Sequence, residues 1–303
     1  MTTPSSPTPP LADGEASIGS LADPIVVDPD PALLAALVAA YRDAAPAAVD
    51  PDLDALRSVA SAERDPLSSA ADLPTLAVLA RDGAVAALTD RFRPASRLAA
   101  LAEAGVWDLR TLAERQPNAV IAGRSDGYVL VAADGRDDGE DRWCRIGSDP
   151  TLRERYDALV ADAEAVRLRT PSRHRLYGAL RERCGGEVAD EAVRLLDAAD
   201  EDGSPASKPL DRAGARLRTY AAGARRGALD RDLRRACEDA GLGSSATFTR
   251  VKRELAEADL LETESVSQPV GRPRKRIVAS GELTAAASPA AALEVLEAFR
   301  KRD

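Results

Sequence analysis

The sequence predicts an α/β domain in its N-terminal half and a mostly helical C-terminal half that closes in a winged helix-turn-helix. Three observations carry this expectation. Short apolar runs alternate with helical patterns up to about residue 148, as in an α/β domain. From Thr151 onward the apolar spacing is that of helices. Basic residues then concentrate late in the chain: 212–276 holds 15 basic and nine acidic side chains, whereas 1–170 holds 17 and 28. A basic patch within a chain of net charge −9 is the electrostatic footprint of a nucleic-acid module.

A length of 303 residues suits two domains, and 45% hydrophobic residues suffice for a core. With only 3% aromatics, that core must be built from Ala, Val and Leu. No apolar run reaches the ~18 residues of a membrane span. Residues 1–21, rich in Pro, Ser, Gly and Thr, read as a disordered tail rather than a secretory signal, because basic start and apolar stretch are both missing. Cys144, Cys184 and Cys237 are odd in number and far apart. They fit a reducing, cytoplasmic setting and supply neither a disulfide framework nor zinc spacing.

In chain order, the apolar run 24–27 reads as a strand. Asp30 is placed to cap a helix with Pro31 at its first position, followed by Leu33, Leu34, Leu37, Val38 and Tyr41 at helical spacing. A second strand at 76–79 precedes a helical stretch from Gly83 to Ala104, and 106–109 reads as a third strand. The runs 119–122 and 128–131 flank Ser125-Asp126-Gly127, a hairpin signal because Asp-Gly tolerates positive φ. A strand at 143–146 and a stripe of Leu152, Tyr156, Leu159 and Val160 complete an α/β domain over 22–170, expected to bind an effector or to dimerise. Helices at 172–184 and 188–199, followed by a polar stretch to Pro209, form a helical connector over 171–210.

The informative region is 211–303. Asp211 caps a helix carrying Arg212, Arg216 and Arg218. A second helix runs from about Leu229 to Ala240, and Gly241 closes it as a C-terminal cap. Ser244 or Ser245 then caps a third helix in which Phe248, Val251 and Leu255 share one face. Thr249, Arg250 and Arg253 lie opposite, with Ser245, Thr247 and Lys252 on the flanks. Short polar groups near a helix start, with cations further along, suit a helix laid in a major groove. The strands 260–266 and 274–278 form a wing whose Gly-Arg-Pro tip would bring Arg272 to a minor groove, with Arg274, Lys275 and Arg276 behind it. The run Gly241–Ala246 also fits a G-x-G-x-x-A nucleotide fingerprint. That fingerprint requires a preceding strand, and the residues before Gly241 are helical and charged.

The runs Gly241-Leu242-Gly243-Ser244-Ser245-Ala246-Thr247-Phe248-Thr249-Arg250, Leu260–Glu264 and Val270–Arg274 are similar to the haloarchaeal TbsP regulators. So are Asp23–Val27, Pro31–Leu34 and Asp72–Leu76. The resemblance spans nearly the whole chain. It implies an archaeal DNA-binding regulator of central carbon metabolism, acting alongside TrmB-type sugar sensors, with a phospholipase-D-like N-terminal sensor domain. The chain departs from that pattern in the acidic stretch 136–142 and near Gly203.

No catalytic centre is expected. The single histidine, His174, reads as an exposed surface residue, and a phospholipase-type site needs Lys two positions on, where Leu176 stands. No cluster of metal ligands and no phosphate-binding Gly-Lys loop is present. The acid pairs Asp137-Asp138 and Glu140-Asp141 read as solvated. No cofactor is expected. The expected partners are double-stranded promoter DNA, a sugar-phosphate effector and a second copy of the chain. Helix N-termini near Asp30 and Gly83, with Arg91, Arg93 and Arg97, are the places an anionic effector would seek. Leu293, Leu296 and Phe299 form a helix face for dimerisation or for packing on their own domain. Two rival readings remain: a protein-docking module built on the winged helix, and an α/β enzyme acting on a phosphorylated metabolite.

Overall fold

The computed structural model describes residues 10–11, 14–15, 17–62, 67, 70, 72–131, 142–146, 149–201, 209–267 and 273–302. The chain divides into two units, one within 1–51, 63–90 and 94–168, the other within 52–62, 91–93 and 169–303.

In the first unit, β1 (Pro10–Leu11) and β2 (Gly14–Glu15) precede β3 (Ile25–Val27), α1 (Pro31–Ala44) and α2 (Pro46–Val49). After α3 (Leu53–Ser61), which belongs to the second unit, come β4 (Leu76–Ala80), α4 (Asp82–Thr89) and α5 (Phe92–Glu103). Then follow β5 (Trp107–Thr111), β6 (Val120–Ala122), β7 (Gly127–Val131), β8 (Arg142–Ile146) and α6 (Glu154–Asp162). The main sheet has the order β5-β4-β3-β6-β7-β8, parallel from β3 to β5 and antiparallel from β6 to β8. Strand alternation sorts its side chains onto two faces. Val26, Val78 and Ile121 cluster with Leu34 and Leu37 of α1 and Leu98 of α5, whereas Ile25, Val27, Leu79 and Val120 cluster with Leu152 and the flank of α6. Both faces are covered, which is why β3 is apolar at every position.

Asp30 caps α1 as expected, its carboxylate accepting from Leu33 N at 2.7 Å. Three expectations change. Ile18 and Leu21, placed in the tail, are buried in the core of this unit. The helix expected over 83–104 is two helices, because Pro94 has no N–H to give the carbonyl of Asp90. Gly127 has no positive φ. It is needed for space, since a Cβ there would lie 2.3 Å from the carbonyl oxygen of Ile121 on the paired strand.

The second unit contains α7 (Arg173–Cys184), α8 (Gly186–Glu201), α9 (Arg212–Arg225), α10 (Asp230–Ala240) and α11 (Ser245–Glu257). It ends with β9 (Leu261–Val266), β10 (Arg274–Ala279), α12 (Gly281–Ala285) and α13 (Pro289–Arg300). Leu180 of α7, Leu195 of α8, Tyr220 of α9, Leu233 of α10, Phe248 of α11, Ile277 of β10 and Leu296 of α13 belong to one hydrophobic core. The helices expected as a connector over 171–210 therefore share a core with 211–303. Glu191 of α8, buried at 1% exposure, accepts at 2.7 Å each from Arg225, the last residue of α9, and from Arg226, its C-cap. Leu293 and Leu296 are buried, Leu296 in this core with Phe299 packed against it, so that part of the face considered for dimerisation packs on its own domain. His174 is buried in the first turn of α7 beside Arg173, which holds Asp197 with two hydrogen bonds; it is not the surface residue expected. Among the described residues, no helix is long and apolar enough to cross a membrane.

Candidate nucleic-acid interface

The turn between α10 and α11 rests on two glycines with different tasks. Gly241 adopts φ 85°, the left-handed conformation of a helix C-cap, and Leu242 N then donates to Cys237 O at 2.9 Å. Gly243 is needed for room: a Cβ would sit 3.1 Å from both Arg216 Nε and Phe248 Cε2. Ser244 caps α11, its Oγ accepting from Thr247 N, and the two hydroxyls lie 3.0 Å apart. The inner face of α11 is anchored by Phe248, Val251 and Leu255. The Phe248 ring stacks on Tyr220 of α9 at 5.9 Å between centroids. On the opposite face Ala246, Thr249, Arg250 and Arg253 are exposed, the two arginine side chains at 63% and 67%.

A buried polar network holds the flanks of α11. Asp230, at the start of α10 and 6% exposed, accepts from the Tyr220 hydroxyl, from Arg234 Nη2 at 3.1 Å and from Lys252 Nζ at 3.2 Å. Arg234 Nη1 reaches Ser245 Oγ at 3.4 Å and Thr249 Oγ1 at 3.2 Å. Burial, reinforced by the Asp230 carboxylate, pushes the Tyr220 phenol far above its usual range, so it stays neutral and donates. Lys252 and Ser245, expected on the DNA side, are thus drawn toward α10. The Lys252 side chain is only 24% exposed. The outward face is narrower than the sequence suggested: Thr249, Arg250 and Arg253, with Thr247 at the helix start. Composition and periodicity did not single out Asp230, Arg234 and Tyr220. The available signals were an acid and a base four residues apart on α10 and a polar-tipped aromatic in an aromatic-poor chain.

The wing is a two-stranded hairpin tied to the helices at its base by one bridge. β9 and β10 pair antiparallel with Ile277 opposite Thr263, and Ile277 N donates to Ala228 O at 2.9 Å beside a bridge between Leu229 and Arg276. Ile277 is fully buried and fastens the hairpin to the helices. Arg274, Lys275 and Arg276 are exposed. Arg276 stands opposite Glu264 in the ladder, Arg274 lies 3.6 Å from Asp232, and Lys275 Nζ donates to Ser265 Oγ at 2.8 Å. Exposed pairs of this kind contribute about 0–1 kcal/mol, so a phosphate can displace the carboxylate at small cost. Arg272 and the wing tip lie outside the described residues, as do the acid pairs of 137–141.

The anion sites expected in the first unit carry carboxylates of the chain itself. Asp30 occupies the N-terminus of α1, and Asp82 stands in the first turn of α4. Arg97 is held by Asp50 through Nε at 2.9 Å and Nη2 at 2.5 Å, both side chains largely buried. Arg91 and Arg93 fall in the second unit. Among the described residues, no group of His, Cys, Asp and Glu is arranged to hold a metal ion.

Two family models match the chain almost end to end. One, the N-terminal region of TbsP-like transcriptional regulators, matches residues 34–171. The other, the C-terminal helix-turn-helix domain of TbsP-like transcriptional regulators, matches residues 172–297. The second begins at the N-cap of α7, so it takes in α7 and α8 together with the helix-turn-helix. No curated protein and no solved structure matches the chain.

Proposed function

The chain belongs to the TbsP-like transcriptional regulators, and on that premise we propose that its winged helix reads promoter DNA with α11 in the major groove. Thr247, Thr249, Arg250 and Arg253 face base edges and phosphates. Arg272, Arg274, Lys275 and Arg276 grip the backbone and minor groove from the wing. Ser245 and Lys252 act from behind, through Arg234 and Asp230, to fix the angle of α11. One observation carries the reading: α11 is tied down along its inner side and leaves two long cations outward at more than 60% exposure. A rigid helix presenting cations matches what groove recognition requires.

The target genes in this reading are those of sugar and central carbon metabolism, as the resemblance implies, with a sugar phosphate as effector of the first unit. A homodimer would match the paired half-sites common to such modules. The test is fluorescence-anisotropy titration of the full chain with duplex from its own promoter region and with random duplex, across a salt series. Tighter binding to the promoter duplex, weakening steeply with salt, is the expected result, because each neutralised phosphate releases counterions. A chain that binds neither duplex at low salt would overturn the reading.

A further inference from the structure

Two further cations, outside the groove-facing set, stand beside α11. Arg212 and Arg216 lie one turn apart on α9 and so share a face. Arg216 donates through Nε to Leu242 O at 2.7 Å, in the turn that leads into α11. This leaves the four Nη hydrogens of its guanidinium fork without an acceptor among the described residues. Neither Arg212 nor Arg216 forms an ion pair with a described carboxylate. Nearby Asp211 is engaged elsewhere, accepting from Gly214 N and from Arg300. Arg250 of α11 is near enough for its charge to act on Arg216, and among the described residues its ion-pair partner is Glu254, 3.4 Å away on the same helix. Partial burial first, and then the like charges of Arg212 and Arg250, hold the Arg216 guanidinium below its usual range. A half-buried cation facing other cations costs free energy until an anion arrives.

We infer that Arg212 and Arg216, together with Arg250, form a notch that takes one phosphodiester of the DNA backbone at the edge of the groove occupied by α11. The inference rests on the DNA-binding reading above. The fork of Arg216, fixed by Leu242, is pre-oriented for two parallel hydrogen bonds to phosphate oxygens, a geometry a lysine would not supply. Gly243 keeps the notch open, since a side chain there would push against Arg216 Nε. The anion is the same on every base pair, so the notch adds affinity and sets register without adding sequence preference.

The test compares wild type with Arg212→Ala, Arg216→Gln and the double variant by anisotropy, on promoter and random duplex, over a salt series. Gln at 216 can still donate to Leu242 O, and Arg212→Ala leaves that bond untouched; thermal melts of each variant check the fold. The double variant is expected to bind both duplexes several-fold more weakly, with their affinity ratio unchanged. The slope of log K against log salt should fall by about 0.9, the value of one phosphate. Wild-type slope and affinity in the folded double variant, while the wild type binds duplex normally, would overturn the notch and leave the DNA-binding reading intact. A wild type that binds no duplex would remove both. Inorganic phosphate titrated into the free protein at constant ionic strength should give no saturable heat. Saturable binding lost in the double variant would overturn the backbone contact in favour of a free-anion site.

Discussion

Both units bury charged side chains, and they use them differently. In the α/β unit two buried carboxylates each hold an arginine of their own unit: Asp50 holds Arg97, and Asp28 holds Arg81, its other oxygen accepting from Gln116 N at 2.8 Å. In the helical unit Asp230 draws in Arg234 and Lys252 under α11, yet Arg250 and Arg253 on the same helix stay outward. The first arrangement stabilises a sheet. The second stabilises a helix so that its remaining cations can be presented. A high arginine content therefore does not mark an interface; the fate of each guanidinium does.

Substitutions can break that contrast. The largest effect is expected for Arg97→Ala, which leaves the buried Asp50 carboxylate without this partner; removing one member of a buried pair costs about 3–5 kcal/mol of stability. Chemical denaturation should show this loss while the folded fraction binds DNA normally. Reduced DNA affinity without a stability change would erase the distinction between the units. Next, Arg250→Ala and Arg253→Ala should each cost about 1–3 kcal/mol of DNA binding, with thermal midpoints near wild type. Lys252→Ala sharpens the comparison within one helix: it should cost about 1 kcal/mol of stability and leave the salt slope of binding close to wild type. A slope reduced as far as in Arg253→Ala would return Lys252 to the DNA side.

The smallest effect concerns acid. Burial alone would raise the Glu191 carboxyl, but hydrogen bonds from Arg225 and Arg226 outweigh it and hold the group below its usual range. A depressed carboxylate contributes stability that is fully present above its unfolded pKa of about 4.3 and is lost as pH falls through the folded value. Glu191→Gln should therefore destabilise the protein at neutral pH and flatten the fall in stability below about pH 4. An acid unfolding curve unchanged by the substitution would show that the pairing does not govern acid stability.

Much of the architecture was legible in the chain because its causes are local. The caps at Asp30, Asp211 and Ser244 and the left-handed Gly241 depend on hydrogen bonds and dihedrals within a few residues. The same holds for the buried stripe of Phe248, Val251 and Leu255, which follows from helical period alone. The break at Pro94 was equally local, but the apolar pattern that continues through it masked the missing N–H.

What only the tertiary structure decided is the choice of distant partners. Lys252 finds Asp230 across 22 residues, and Arg57 of α3 finds Asp190 of α8 across 133. The helices of 171–201 join the core of 211–303 rather than bridging to it. Gly127 and Gly243 are dictated by a neighbouring strand and by an arginine from another helix. A sequence shows which side chains carry charge or bulk at a given period. Packing determines which of them meet, and so which cations are spent inside the fold and which remain to face a partner.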